Sequence, residues 1–179
     1  MANRPRLLLL DANAVFAAFR HDAWAGLCAA YEVVVPTTVI HTEALFYVAR
    51  DTGRRVELDL AAEARAGTIV EVSVPAGEVA RLRARFDAGF RRQLDAGEAE
   101  ALAYLISRED DAMRFVTSDA SALEAVAMLG IAERAMCLAE VLQLCGLGRP
   151  LPRQHDHAFF RTHIEAGRRR FVTGEGLTR

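Results

Sequence analysis

Four consecutive leucines, Leu7–Leu10, end abruptly at a carboxylate, Asp11. An apolar run this short is typical of a strand buried on both faces of a parallel sheet. Such sheets bind their ligands outside the carboxyl ends of the strands. Asp11 therefore falls where an open α/β fold places its chemistry, and other acids that follow strands would reach the same edge.

Strand-like and helix-like segments alternate along the chain, which favours a parallel sheet with helices on both faces. We expect long helices after the second strand (from Thr37 or Thr38 to about residue 50), over about 76–90 and over 98–107. Glycine and proline breaks at 148–152 mark the end of the core, so we predict one domain over 1–148 and an Arg- and His-containing extension over 149–179. The predicted strands are 7–11, 32–35, 68–74, 114–117 and 135–138.

Composition narrows the function classes. Hydrophobic residues make up 52% of the chain, but no run approaches the ~20 apolar residues of a membrane span, so we expect a cytoplasmic protein that does not enter a membrane. All 22 cationic residues are arginine, which removes mechanisms that need a lysine ammonium. Three scattered cysteines without a CxxC pair favour buried thiols in a reducing compartment over disulfides or zinc.

Two acids follow predicted strands directly. Asp11 ends the first strand, and Asp119 follows the fourth. Each precedes a predicted helix, and an aspartate in that position is also a good N-cap. Each of these two residues could therefore bind a ligand or cap the helix that follows it.

Two further acids lie on apolar helix faces. Glu43 follows Ile40 by three residues, and Glu98 precedes Ala101 and Leu102 by three and four. An ionised carboxylate that faces a core is costly unless it is paired or bound to a metal. Glu43 would otherwise edge off its face or pair with an arginine, and Glu98 would otherwise close a capping box with Asp95.

Spacing selects Glu98 over Glu100, which aligns instead with a flank of its helix. If the first and fourth strands are neighbours, Asp11, Glu43, Glu98 and Asp119 converge at one edge of the sheet. Four carboxylates cannot crowd together ionised without a cation, and an all-oxygen ligand set favours Mg²⁺ or Mn²⁺. Such a site suits the hydrolysis of phosphodiesters.

The ordered set of motifs resembles the PIN-domain family of nucleases. The motifs are LLLLDAN at 7–13, TVIHTE at 38–43, LDAGEAEAL at 94–102 and VTSD at 116–119. The resemblance implies a three-layer α/β/α sandwich with four to five parallel strands in the order 3-2-1-4-5, and a metal-dependent endoribonuclease like the VapC-type toxins. It implies Asp11, Glu43, Glu98 and Asp119 as the catalytic and metal-binding acids, with supporting polar groups at Asn13, Ser118 and Ser121.

The same resemblance implies RNA as the substrate, an antitoxin protein as an inhibitory partner, and a homodimer as an assembly the family often forms. Glu98 departs from the family, since many members have aspartate there. The extension after 148 lies outside the resemblance.

Arginines gather just before the third acidic motif. Cations that contact phosphates supply most sequence-independent affinity for nucleic acid, so we predict Arg91 and Arg92 as contacts for the RNA backbone. A solvated helix face is the alternative. The spacing of His155, His157 and His163 lacks a companion ligand pair, so we expect surface histidines there.

Three other functions compete. A phosphotransfer protein, either a receiver domain or a haloacid-dehalogenase-like phosphatase, would normally use a lysine, and this chain has none. The phosphatase motif also needs a second aspartate where Asn13 stands. A Rossmann dinucleotide binder needs a glycine-rich turn after the first strand, and this chain has none there. A non-catalytic PIN-like module that binds RNA or protein is the remaining alternative.

Overall fold

The computed structural model describes residues 7–49, 51–108 and 112–178. Within them, a central parallel sheet is flanked by helices on both faces. The strands are β1 (Leu7–Leu10), β2 (Glu32–Pro36), β3 (Phe46–Val48), β4 (Arg55–Glu57), β5 (Val70–Val72), β6 (Met113–Val116) and β7 (Ala135–Met136). The α-helices are α1 (Ala12–Arg20), α2 (Trp24–Ala30), α3 (Leu60–Ala66), α4 (Ala76–Arg83), α5 (Ala88–Arg91), α6 (Ala96–Ser107), α7 (Ala120–Met128), α8 (Leu138–Leu144) and α9 (His157–Thr173).

The sheet has five parallel strands in the spatial order β5-β2-β1-β6-β7. Counted along the chain without the separate hairpin, this is the predicted order 3-2-1-4-5. The three-layer α/β/α fold class is therefore confirmed. The antiparallel hairpin of β3 and β4 was not predicted.

The leucine run forms β1 at the centre of the sheet, between β2 and β6. Leu8 and Leu10 face a core shared with α1, α2, α3 and α8, while Leu9 faces the core beneath α4 to α7 and α9. Alternate residues of a strand point to opposite faces. A strand covered on both faces therefore has to be apolar throughout, as β1 is.

The predicted helix after β2 begins where expected, with Thr38 as its N-cap, but its predicted length is wrong. The chain makes one π-helical turn, Val39–Glu43, and then enters β3. Phe46, Tyr47 and Val48 are aromatic or β-branched and favour a strand, which pairs with β4. The predicted end near residue 50 lies outside the described residues.

The predicted helix over about 76–90 is also interrupted. It divides into α4 and α5, and the Asp87 side chain caps α5 by accepting from the Phe90 N–H at 2.8 Å. A good N-cap aspartate in mid-sequence therefore starts a new helix here instead of continuing the old one.

The extension after residue 148 packs on the same core as the sheet. Helix α9 lies against α7, with Ile164 buried between them. A Cβ atom on Gly167 would lie 2.4 Å from the Glu124 carbonyl oxygen, so only a glycine permits this approach. Arg170 pairs with the Glu124 carboxylate at 3.3 Å. No helix in the described ranges is both long and apolar enough to cross a bilayer.

Candidate functional site

Asp11 lies at the carboxyl end of β1 and is 2% exposed. Its Oδ1 accepts from the Ala14 N–H at 2.7 Å, so Asp11 is the N-cap of α1. Its Oδ2 accepts a hydrogen bond from the Thr117 hydroxyl. Burial raises the pKa of Asp11 to about 7, and the charges of Asp119 and Glu43 add to the increase.

Asp119 follows the neighbouring strand, β6, and caps α7. Its Oδ1 accepts from the N–H groups of Ser121 at 2.7 Å and Ala122 at 3.1 Å. The Thr117 hydroxyl oxygen accepts from the Asp119 N–H at 3.0 Å while it donates to Asp11. Thr117 therefore joins the two strand ends that carry the first and fourth acids.

Glu98 lies in the first turn of α6 and is 4% exposed. Its Oε2 accepts from the Asp95 N–H at 3.0 Å, as the predicted capping box requires. Burial raises the pKa of Glu98 to about 8, and the nearby charges of Asp119 and Asp11 contribute. Glu98 thus lies near both strand-end acids.

Glu43 ends the π-helical turn and reaches across to α6. Its Oε1 accepts from the Gly97 N–H at 2.8 Å. A Cβ atom on Gly97 would lie 2.3 Å from Glu43 Oε2 and 2.8 Å from Val39, so glycine is required for this approach. Burial raises the pKa of Glu43, and the Gly97 hydrogen bond opposes the increase.

The structure therefore brings the four predicted acids into one electrostatic neighbourhood. Each accepts hydrogen bonds from neutral donors, and no ion pair between described side chains reaches any of them. Ionised carboxylates in a buried cluster repel one another and lose hydration. Burial is the main cause of the raised pKa values of Asp11 and Glu98, and the neighbouring carboxylates add to the increase. A bound cation would offset both effects.

The carboxylate oxygens of the four acids are not close enough together to surround an ion directly. Among the described residues, three acids of this cluster do not bring one oxygen each within 4.8 Å of one another. Mg²⁺ usually keeps several of its waters and takes only one or two carboxylates directly. The donor set of oxygens, the burial and the missing countercharge fit such a hydrated ion.

The predicted supporting polar residues differ in their surroundings. Ser121 donates through its hydroxyl to the Gln93 carbonyl at 2.9 Å and also contacts Asp119. Asn13 is exposed in the first turn of α1. Ser118 is buried, and its hydroxyl contacts His155 Nδ1 instead of the acids. Ser121 is thus the supporting residue in direct contact with the cluster.

The two predicted RNA contacts also differ. Arg91 is partly buried, and its Nη2 donates to the Phe86 carbonyl at 2.8 Å. Arg92 is exposed and ends α5. Of the two arginines, Arg92 therefore keeps its side chain exposed, whereas that of Arg91 is engaged by the backbone of the turn preceding α5.

Two residues that hold the cluster together were not singled out from the sequence. Thr117 carried a weak signal, because a hydroxyl residue directly after a strand can reach the neighbouring strand end. Gly97 belongs to the motif at 94–102, but its contact with Glu43, 54 residues away, could not be read from that motif.

The burial of Glu100 and His155 was not predicted from the sequence. The flank on which spacing places Glu100 is buried: Glu100 is 6% exposed, and its carboxylate accepts from the N–H groups of Thr38 at 2.9 Å and Val74 at 3.2 Å. It therefore fastens α6 to the ends of the neighbouring strands. His155 is not a surface residue, since it is buried, and burial lowers its pKa to about 4.

Comparison of the chain with protein-family models, with curated proteins and with solved structures gives no match in any of the three.

Proposed function

We propose that the protein is a Mg²⁺- or Mn²⁺-dependent endoribonuclease of PIN type. The observation that carries the proposal is the cluster of Asp11, Glu43, Glu98 and Asp119, in which Asp11 and Glu98 are buried and Glu43 and Asp119 are partly buried. No ion pair between described side chains involves any of the four. A structural ion-pair network would place arginines beside these acids. Uncompensated acids at the carboxyl edge of a parallel sheet support a bound cation instead.

When bound, a divalent cation lowers the pKa of a coordinated water and neutralises charge on the phosphate. The protein's part is to hold the ligands in place. Thr117 fixes the Asp11 carboxylate, and the Gly97 N–H fixes that of Glu43. In the overall reaction one water oxygen bonds to phosphorus, one bond from phosphorus to a ribose oxygen breaks, and that ribose oxygen takes up a proton.

RNA is proposed as the substrate because the sequence motifs resemble those of PIN nucleases, and the toxin of a toxin–antitoxin pair is the finer form of the same proposal. The net charge of −2 does not favour nucleic acid overall, so binding must depend on local cations. Arg92 is exposed one residue from Gln93, whose carbonyl contacts Ser121. Contacts between an arginine and phosphate groups bind the nucleic-acid backbone without reading sequence.

The test is cleavage of single-stranded and structured RNA by the purified chain with Mg²⁺ or Mn²⁺, with and without chelator. Asp11→Asn and Asp119→Asn are expected to lower the cleavage rate by at least ~100-fold, because each removes charge from the metal ligands. Asp59→Asn is the matched control. Asp59 caps α3 through the same i→i+3 hydrogen bond, at 2.8 Å, but is exposed.

Wild-type rates in both cluster variants would overturn the assignment. If calorimetry shows Mn²⁺ binding that Asp11→Asn abolishes, but no RNA is cut, a non-catalytic module that binds RNA or protein is the better conclusion. If millimolar Mn²⁺ does not bind at all, the cluster is not a metal site.

A further inference from the structure

A second group of ligand-type side chains lies apart from the four acids. Cys137 precedes α8, Glu140 is in its first turn, and His157 is the first residue of α9. One sulfur, one carboxylate oxygen and one ring nitrogen of these residues all lie within 4.8 Å of one another. The Cys137 Sγ and His157 Nδ1 atoms are 3.4 Å apart.

We propose that Cys137, Glu140 and His157 bind a divalent cation of the zinc class and so fasten the start of α9 to α8. Thiolate, imidazole and carboxylate form the ligand set of Zn²⁺ and Co²⁺, whereas Mg²⁺ prefers oxygen alone. This site is independent of the proposed nuclease activity, since it shares no residue with the four-acid cluster.

The distances suit such an ion. Zinc lies about 2.3 Å from a thiolate sulfur and about 2.0–2.1 Å from a ring nitrogen, so tetrahedral geometry separates those two atoms by about 3.6 Å. The observed 3.4 Å between Sγ and Nδ1 is close to that value. Three protein ligands leave the fourth position to water.

Local structure explains why the three side chains meet. Cys137 follows β7 in an extended conformation and serves as the N-cap of α8, so Glu140, three residues later, lies on the same side of the helix. Asp156 caps α9 by accepting from the Phe159 N–H at 2.8 Å, which fixes His157 at the first helical position. The two segments are brought together across 20 residues of chain.

A plain thiol–imidazole hydrogen bond is the competing explanation for the short distance. Glu140 lies in the first turn of α8, where an acid also favours the helix N-terminus. A hydrogen bond between thiol and imidazole does not use its carboxylate, whereas a cation would bind all three side chains. Burial raises the pKa of the Cys137 thiol, and the charge of Glu140 adds to the increase. A bound ion would stabilise the thiolate form of Cys137.

The position of the site gives it a structural role. Two residues before His157, His155 contacts the buried Ser118 hydroxyl, next to Asp119. An ion at Cys137 would therefore hold His157 against α8, while the His155 contact holds the same segment against the loop between β6 and α7. Metal sites that join distant segments add their binding free energy to folding.

The test uses the full chain, freed of metal and titrated with Co²⁺, whose thiolate complexes show charge-transfer absorption. We expect one equivalent of Co²⁺ with this absorption in the wild type, displaced by Zn²⁺ but not by excess Mg²⁺. Cys137→Ser should abolish the absorption, and His157→Gln should weaken Co²⁺ binding at this site by ~10-fold or more. Cys145→Ser and His163→Gln are the matched controls and should behave as the wild type.

The thiolate signal separates this site from the four-acid cluster, whose ligands are all oxygens. Co²⁺ uptake without thiolate absorption in the wild type, or absorption that persists in Cys137→Ser, would overturn the proposal. If Cys137→Ser does not fold, as judged by circular dichroism, Glu140→Gln and His157→Gln decide the question: unchanged Co²⁺ affinity in both would refute the site.

Discussion

Replacing Asp11 by asparagine should stabilise the protein, and more so as pH rises. The pKa of Asp11 is raised from 3.8 to about 7 in the folded protein. Between these values the folded protein keeps a proton that the unfolded chain has released. The free energy of unfolding therefore falls as pH rises through this window and levels off above about pH 7. Asparagine removes the titrating group and with it this loss.

The magnitude follows from the pKa values. Each unit of pKa difference is worth about 1.36 kcal/mol. With a pKa of 3.8 in the unfolded chain and about 7 in the folded protein, the loss of unfolding free energy at pH 8 exceeds that at pH 4.5 by roughly 3 kcal/mol. Asparagine cannot replace the Thr117 hydrogen bond at Oδ2, which costs about 1 kcal/mol at either pH. The stability of Asp11→Asn relative to the wild type should thus rise by roughly 3 kcal/mol between these two pH values.

Urea unfolding at pH 4.5 and pH 8 with chelator present measures this difference. Asp59→Asn is the control, since Asp59 makes the same cap hydrogen bond while exposed to solvent, and its effect should change by less than about 0.5 kcal/mol. If Asp11→Asn destabilises the protein equally at both pH values, Asp11 is a plain helix cap, and its burial creates no demand for a cation.

Three further substitutions test the supports of the site and of α9. Thr117→Val removes a hydrogen bond that lowers the pKa of Asp11. The pH at which Mn²⁺ binding is half complete should therefore rise by about 1 unit, as measured by electron paramagnetic resonance of free Mn²⁺. Gly97→Ala should weaken Mn²⁺ binding by ~10-fold or more in calorimetry, since the added Cβ would lie 2.3 Å from Glu43 Oε2 and displace a ligand. Gly167→Ala should lower the free energy of unfolding in urea by about 1–3 kcal/mol, because its Cβ would meet the backbone of α7.

Gly77 provides the control for both glycine substitutions. It lies in α4, and a Cβ atom there would meet nothing within 4 Å. Gly77→Ala should be neutral or stabilise the protein by up to about 1 kcal/mol. If Gly97→Ala and Gly167→Ala behave like Gly77→Ala, the close approaches at these two glycines do not constrain the structure. If the pH midpoint of Mn²⁺ binding does not shift in Thr117→Val, the Thr117 hydrogen bond does not lower the pKa of Asp11.

The parts of the fold that depend on local pattern could be predicted from the sequence. The leucine run of β1 and the β-branched run of β2 have one stable place each, at the centre of a covered sheet. The π-helical turn at Val39–Glu43 could not be predicted, because apolar spacing over Ile40 and Ala44 fits an α-helix equally well. The helix ends there because the chain turns into β3, which pairs with β4, and the nearest paired residues, Val48 and Arg55, are seven residues apart.

The supports of the candidate site were beyond prediction for the same reason. Asp11 and Asp119 could be found because a carboxylate directly after a strand has a known position in a parallel sheet. Gly97 and Thr117 act through partners 54 and 106 residues away. The Cys137 and His157 contact joins residues whose local spacing indicates no metal site.

The choice between helix cap and metal ligand, which the sequence leaves open, rests on a false opposition. Asp11, Asp119 and Glu98 are indeed capping residues. Yet a carboxylate has two oxygens with about four lone-pair sites, and the cap occupies one or two of them. A cap fixes the rotamer of the side chain, so the remaining lone pairs point in a set direction before any ligand arrives. Capping therefore prepares these acids for a cation, and the cap hydrogen bonds do not offset the burial that raises the pKa of Asp11 and Glu98.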